Sequence, residues 1–289
     1  MTNLSLFVLA VSIWGSTWIA ITFQLGTVQP EASVFYRFVL AALILFAFCA
    51  WRRLELRFGP RQHFALAAQG ALMFSFAYIC VYYAETLVVS GLVAVGFSAT
   101  PLLNMLGVRI VFGTPMNLRV ALGGLLGIAG IALVFLPELM ALSSNARALQ
   151  GASFTALAVL ASAAGAVIAT GNAKRGVPVW QAMAYAMSYG SVCSLLYVLA
   201  CGKSLGFDWS PGYALSLLYL AAFGSVVAFA CFFVLLERIG AARAGYIGVM
   251  VPIVALVISY LFEGYAWRAQ TWLGVGLSVA GNAVILRRA

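Results

Sequence analysis

The sequence repeats one of its segments after about half its length. Leu122–Val134 reads LGGLLGIAGIALV, and Leu273–Ile285, 151 positions later, reads LGVGLSVAGNAVI, with six identities and no gap. Further landmarks recur in the same order at nearly the same shift: Pro30 and Pro178, Glu85 and Glu237, Pro101 and Pro252. We therefore predict two homologous halves, residues 1–137 and 150–289, which meet near residues 137–150.

The composition identifies the solvent of these halves as lipid. Of the 289 residues, 64% are hydrophobic and 8% are charged, whereas about a quarter of the residues of a soluble domain are charged. A globule in water cannot be coated with so little polar surface. A helix that crosses a bilayer needs roughly 20 mostly apolar residues, and runs of that kind fill nearly the whole chain.

Polar residues, prolines and glycines divide the apolar sequence into ten predicted spans. The backbone of a lipid-exposed span must satisfy its own hydrogen bonds, which leaves helices or closed barrels. These runs are too long for barrel strands and lack their alternation, so we predict an all-α membrane protein. The predicted spans are Leu4–Phe23, Ala32–Trp51, Phe64–Tyr83, Leu92–Phe112, Leu118–Phe135, Ala152–Gly171, Trp180–Cys201, Tyr213–Leu236, Ala244–Phe262 and Thr271–Leu286.

The basic residues predict the orientation. The formal net charge is +9, but the cations are spread over loops, which argues against a nucleic-acid partner. With a cytoplasmic N-terminus, twelve loop cations lie inside and three outside (Arg147, Lys203 and Arg268), as the positive-inside rule favours. Five spans per half then make the second half enter from the opposite side. Such inverted repeats are typical of secondary transporters, with the substrate near the midplane between the halves.

Four short motifs stand in this layout: Trp14-Gly15-Ser16, Tyr36-Arg37-Phe38, the loop Arg238-Ile239-Gly240-Ala241-Ala242-Arg243-Ala244 followed by Pro252, and Glu263 just before the last span. Together with the duplicated ten-span layout they resemble the drug/metabolite transporter superfamily, whose unit is the five-span EamA-type domain and whose G-E turn Glu263 resembles. The resemblance covers essentially the whole chain. It departs from the family pattern at Gly113-Thr114-Pro115, where an acidic residue might be expected, and at Glu85, where a basic residue is common.

Within the superfamily the chain is most similar to bacterial aromatic amino acid exporters of the YddG type. The resemblance implies an exporter of aromatic amino acids and related amphipathic metabolites or drugs in the bacterial inner membrane, working by alternating access. It implies no cofactor, and a monomer is expected to suffice for transport. A facilitative, channel-like pore stays open as an alternative, although no charged ring or pore motif is present.

An integral membrane enzyme is the less favoured alternative. His63, the one histidine, lies beside Arg61 in a basic loop. The chain has no P-loop, no H-E-x-x-H and no paired metal-ligand spacing. The glycines Gly123, Gly124 and Gly130 lie mid-helix, where small residues allow close helix packing, and we expect packing rather than phosphate binding.

The third span places three polar residues on one helical face. Tyr78, Tyr82 and Glu85 are spaced i, i+4 and i+7. A tyrosine hydroxyl away from the interface needs a partner, so we predict that Tyr78 and Tyr82 line a substrate cavity. The alternative is an interfacial aromatic belt. Glu85 is expected at the rim rather than buried.

Other residues complete the predicted substrate site. Trp14 and Trp18 lie mid-membrane, one turn apart, where core packing and substrate stacking are both open. Ser and Thr can bond back to their own helix instead of a solute. The polar candidates are Ser98, Thr100, Asn104, Asn172 and Tyr246.

A charged residue and two prolines carry the remaining predictions. Arg37 lies inside the second span, where it either snorkels outward or acts as a carboxylate anchor or an ion-pair latch near the outer mouth, with Glu31 or Glu85 in reach. Pro101 and Pro252 match under the repeat, and each removes a helix hydrogen bond. With Gly96 and Gly248 shortly before them, they are predicted hinges, the alternative being static kinks.

The acids predict how transport is driven. All seven (Glu31, Glu55, Glu85, Glu138, Asp208, Glu237 and Glu263) fall in loops or near span ends. Proton antiport needs a carboxylate or histidine that is accessible from both sides in turn. We therefore expect transport down the solute gradient without obligatory proton exchange, with Glu85 as the residue to test.

Overall fold

A computed structural model describes residues 1–113, 118–134, 136, 146–244 and 246–286. Within these residues it is all-α, as predicted, and its helical segments join into ten helices. Part of the predicted junction at 137–150 lies outside the described residues. So do Thr114, Pro115, Glu138, Arg287 and Arg288. The helices are α1 Asn3–Thr22, α2 Pro30–Trp51, α3 Pro60–Glu85, α4 Ser90–Phe112, α5 Leu118–Val134, α6 Ala146–Lys174, α7 Val179–Ala200, α8 Pro211–Leu218 continued by Tyr219–Val227 and Ala228–Ala244, α9 Tyr246–Phe262, and α10 Ala269–Leu286.

Proline and glycine set several helix ends. Pro30, Pro60 and Pro211 stand in the first turns of α2, α3 and α8, where the missing N–H costs no hydrogen bond. Gly113 ends α4 in the left-handed conformation, with φ 67°, which a glycine adopts without strain. Within the described part of the chain, seven helices are long and apolar enough to span a bilayer, and Leu122–Val134 and Tyr246–Phe262 are shorter apolar helices.

The packing of the helices follows the internal repeat. Under the repeat α1 corresponds to α6, α2 to α7, α3 to α8, α4 to α9 and α5 to α10. In two cases a helix packs against its own counterpart: α5 packs against α10, and α2 packs against α7. The other contacts occur in matched sets: α1 touches α9 and α8, and α6 touches α4 and α3. The two halves are therefore interleaved around a pseudo-twofold axis.

The glycines of the repeated segments allow close packing, as predicted, and the two helices that they bring together are α5 and α10. A Cβ on Gly130 would lie 2.4 Å from the Gly274 carbonyl oxygen, and one on Gly281 would lie 2.4 Å from the Gly123 carbonyl oxygen. Backbone in direct contact leaves no room for a side chain, which is the close approach that small residues permit in membranes.

Two π-helical stretches interrupt helices that correspond under the repeat. Ala71–Phe76 in α3 and Tyr219–Val227 in α8 are π-helical. The wider turn displaces carbonyls from the normal ladder, and such segments occur often at functional sites. One of these carbonyls, that of Gly224, accepts the indole N–H of Trp14 at 3.1 Å. Hydropathy does not register this change of winding, so the sequence analysis missed both stretches.

The predicted hinges differ between the halves. In α4 a 3-10 turn, Phe97–Ala99, stands directly before Pro101, whereas α9 runs through Pro252 as an α-helix. Gly96 packs tightly, since a Cβ there would lie 2.4 Å from Thr155, while Gly248 has no atom within 4 Å of that position. The hinge role stays a prediction at both sites.

Candidate substrate site

Arg37 is the centre of a buried polar cluster between α1, α2, α3 and α8. It lies seven residues into α2, about 10 Å from the helix start, and is 2% exposed. Its Nε donates to Ser225 Oγ at 3.3 Å, in the π-helical stretch of α8. We call Gln24, Arg37, Tyr78, Tyr82, Glu85 and Ser225 the Arg37 cluster.

The guanidinium of Arg37 is held over an aromatic ring. Its central carbon lies 4.6 Å from the centre of the Tyr78 ring, and Phe38 packs edge-on against Tyr78 at 4.7 Å. A cation over a desolvated ring gains about 2 kcal/mol. Among the described residues the Nη1 of Arg37 has no hydrogen-bond partner, so the group keeps a free donor in the interior. The snorkelling alternative does not fit this buried position.

Tyr82 and Glu85 continue the same face of α3. The Tyr82 hydroxyl donates to Gln24 Oε1 at 2.6 Å, and both residues lie within electrostatic range of Arg37. Glu85 is 7% exposed rather than at an open rim. It ends α3, but the turn that follows is covered by α6: Arg147 donates to the Thr86 carbonyl at 3.4 Å, and Gly151 packs on Leu87 and Val88.

Glu31 pairs with Lys203 and not with Arg37. Lys203 Nζ lies 2.7 Å from Glu31 Oε1, and the Tyr83 hydroxyl donates to the same oxygen at 2.6 Å. Glu31 is fully buried. Its hydrogen bond with Lys203 raises the pKa of that lysine above the ordinary range. The ion pair fastens the α7–α8 loop of the second half to α2 of the first.

A second pair of contacts fastens the halves at both faces. The Tyr36 hydroxyl donates to the Leu205 carbonyl, and the Tyr185 hydroxyl donates to the Leu56 carbonyl at 2.7 Å. Donor and acceptor are both displaced by the same 149 positions. Each loop after the second helix of one half is therefore tied to the second helix of the other.

The remaining predicted site residues are distributed over three places. Trp18 packs against the largest core cluster, as Tyr78 does, and its ring meets that of Phe97 at 5.2 Å. Trp14 packs with Phe232 in another core cluster and also meets Phe229, which packs against the largest cluster. Ser98 and Pro252 line a small cavity between α4, α9 and α10.

The polar candidates Asn104, Asn172 and Tyr246 lie apart from the Arg37 cluster. Asn172, near the C-terminal end of α6, donates to Oε1 of Gln69, in the N-terminal half of α3, at 2.9 Å. Asn104 is half-buried on α4, with an amide oxygen that has no partner among the described residues. Tyr246 is half-buried in the first turn of α9. Substrate contact stays a prediction for all three.

Sequence reasoning missed Gln24, Gln69 and Ser225. The two glutamines are amides within or beside apolar runs, which is the signal that selected Asn104 and Asn172, so the same rule would have found them. Ser225 gave no such signal, because a lone serine commonly bonds back to its own helix. Its hydroxyl does bond to the Leu220 carbonyl, five residues earlier, besides accepting from Arg37.

Comparison with known proteins places this architecture among transporters. The model of the EamA-like transporter family matches residues 1–136 and again 149–287. Protein PagO of Salmonella typhimurium is 26% identical over 93% of this chain and 87% of its own length. The inner membrane transporter YedA of Escherichia coli K12 is 28% identical over 95% and 87%.

Two further similarities agree with this fold. The transporter YoaV of Bacillus subtilis is 23% identical over 90% of this chain and 89% of its own length. A solved crystal structure superposes with a TM-score of 0.69 at 16% identity, over 98% of this chain and 96% of that one. At that identity the superposition supports the fold alone.

Proposed function

Because the chain belongs to the EamA-like transporter family of the drug/metabolite transporter superfamily, we propose a specific cargo for this multi-pass membrane transporter. The protein exports aromatic amino acids and related small amphipathic solutes across the bacterial inner membrane by alternating access. The observation that carries the proposal is the buried Arg37, whose Nη1 is unpaired among the described residues while its guanidinium lies on the Tyr78 ring. An intramembrane cation of this kind is costly and marks a substrate pathway.

The surroundings of Arg37 favour a carboxylate that is attached to an aromatic group. A guanidinium offers a carboxylate two parallel donors, and Tyr78, Trp18 and Phe97 supply apolar ring faces within the adjoining core. Gly224 lets α8 approach the guanidinium closely, since a Cβ there would lie 3.6 Å from Nη2 and only 2.8 Å from Thr17 Cγ2. An aromatic α-amino acid has both groups that this arrangement would bind.

Counterflow in proteoliposomes tests the cargo. Vesicles loaded with unlabelled phenylalanine should accumulate labelled phenylalanine transiently and saturably. Tyr78→Ala and Trp18→Ala should lower this flux several-fold, because ring stacking contributes about 0.5–1.5 kcal/mol beyond burial. Trp272→Ala is the matched control, since Trp272 is 64% exposed on α10. Flux that does not saturate would indicate a pore. If the Tyr78→Ala and Trp18→Ala proteins lost transport of the small amino acid alanine to the same extent as that of phenylalanine, the cause would be misfolding.

Cysteine labelling tests the orientation, with both termini in the cytoplasm. On a background without the five native cysteines, single cysteines at Arg57 and Lys174 should be protected from an impermeant thiol reagent in intact cells. A cysteine at Ser204 should react. Ser204 is exposed and lies beside Lys203, so the Glu31–Lys203 pair stays intact. Labelling at Arg57 and protection at Ser204 would reverse the proposed orientation.

A further inference from the structure

Glu85 differs from the other acids that the structure describes because its carboxylate is both buried and without a hydrogen-bond donor. It is 7% exposed, and neither carboxylate oxygen has a hydrogen-bond partner among the described residues. The other carboxylates that the structure describes as buried or half-buried accept hydrogen bonds. Glu31 accepts from Lys203 and Tyr83. Glu263 accepts from the Ser90 N–H at 3.1 Å and from the Ser90 and Ser259 hydroxyls.

The groups around Glu85 do not neutralise it by direct contact. Arg37 on α2 interacts with it electrostatically, but the described residues contain no ion pair within 4.0 Å that involves Glu85. Glu263 faces it from the turn after α9 with the same sign of charge. Tyr82 lies one turn earlier on α3, and Arg147 on α6 donates to the neighbouring Thr86 carbonyl.

A buried carboxylate in this position needs a proton or a cation. An ionised carboxylate without donors costs so much in an apolar interior that such a group usually becomes neutral or finds a partner. Its neighbours on the same helical face already hold a cation, since Tyr78 lies under the Arg37 guanidinium. A solute ammonium reaching Glu85 would therefore supply the missing charge.

We propose that the Glu85 carboxyl binds a proton and the ammonium group of the solute in turn. This rests on the proposed function, with the solute carboxylate on Arg37 and its ammonium on Glu85. As the ammonium enters, the carboxylic acid O–H bond breaks, the proton passes to water, and the carboxylate pairs with the ammonium. When the solute leaves, the carboxylate takes up one proton again, so one proton moves inward for each solute exported.

From the sequence we expected transport without obligatory proton exchange, whereas the burial of Glu85 favours proton exchange. That expectation followed from acids that all lay near span ends in the sequence. Glu85 does lie at a helix end, yet the packing of α6 over the next turn buries it. Its position at a helix end therefore suggested an exposed side chain, whereas the fold buries it.

Ligand-induced proton release tests the proposal directly. The purified protein in weakly buffered detergent solution, with a pH-sensitive dye, is mixed with phenylalanine, phenylethylamine or 3-phenylpropanoate. The two ammonium compounds should each release one proton per bound ligand, and 3-phenylpropanoate should release none. Release should disappear in Glu85→Gln and persist in Glu55→Gln, which changes an exposed loop acid.

Transport under a pH gradient provides the second readout. With the membrane potential clamped at zero, wild-type proteoliposomes should concentrate phenylalanine severalfold on the acidic side, against its gradient. Glu85→Gln should not concentrate phenylalanine, and its counterflow should also fall severalfold because an amide cannot pair with the solute ammonium, whereas Glu55→Gln should retain both activities. Concentration by Glu85→Gln, or a wild type in which phenylethylamine releases no proton, would overturn the role of Glu85. A wild type without phenylalanine counterflow would instead overturn the proposed cargo, while the phenylethylamine measurement still decides for Glu85.

Discussion

Arg37→Gln should abolish phenylalanine transport, with a loss of at least about 100-fold in counterflow. Hydrogen bonds to charged groups contribute about 1.5–3 kcal/mol each, and a guanidinium can give a carboxylate two of them. Losing both corresponds to 3–6 kcal/mol, and every 1.4 kcal/mol is tenfold in affinity. Arg37→Lys should retain a small part of the flux, because an ammonium keeps the charge without the planar fork.

Two controls separate substrate binding from folding. Ser225→Ala removes the acceptor of the Arg37 Nε and leaves the guanidinium in place, so its effect should be severalfold at most. Phenylethylamine has no carboxylate, so its flux should fall far less than that of phenylalanine in Arg37→Gln. If both compounds lose transport equally, Arg37 is structural. If phenylalanine flux is unchanged, Arg37 does not bind the substrate.

The sequence predicted the architecture because the relevant signals are additive over many residues. Long apolar runs and a repeat of 151 positions do not depend on any single side chain. The glycines of the repeat also predicted close helix packing, although not its partner, and the structure brings Gly130 against the backbone of Gly274. Helix packing in lipid selects small residues at such positions, so the glycine spacing carried structural information.

The site was predictable only where the spacing of residues along one helix determined it. Tyr78, Tyr82 and Glu85 share a face because a helix places i, i+4 and i+7 together. The partners of Arg37 depend on which helices meet, and the sequence offered Glu31 and Glu85 where the structure has Ser225 and Tyr78 in contact. Ser225 reaches Arg37 from a π-helical stretch, and apolar periodicity does not predict that local winding.

Gly70→Ala should cause the largest loss of stability among single-methyl substitutions. Gly70 lies where α3 crosses α7, directly before the π-helical stretch. A Cβ there would lie 2.2 Å from the Ala186 carbonyl oxygen and 2.8 Å from the Gly190 nitrogen. Both are backbone atoms, so the clash cannot be relieved by a rotamer change and the two helices must separate. Overpacking typically costs 1–3 kcal/mol and occasionally more, and a rigid backbone contact belongs at the upper end.

Thermal unfolding in detergent, followed by the fluorescence of a thiol-reactive dye, measures this effect. Buried thiols such as Cys49 and Cys80 become reactive when the helices separate, so the transition reports on packing. Gly276→Ala is the matched control, because no atom lies within 4 Å of its Cβ position in α10. It should unfold at or slightly above the wild-type temperature, since alanine favours a helix over glycine by about 1 kcal/mol. If the Gly70→Ala protein unfolded at the same temperature as the Gly276→Ala protein, α3 and α7 would be further apart than the structure places them.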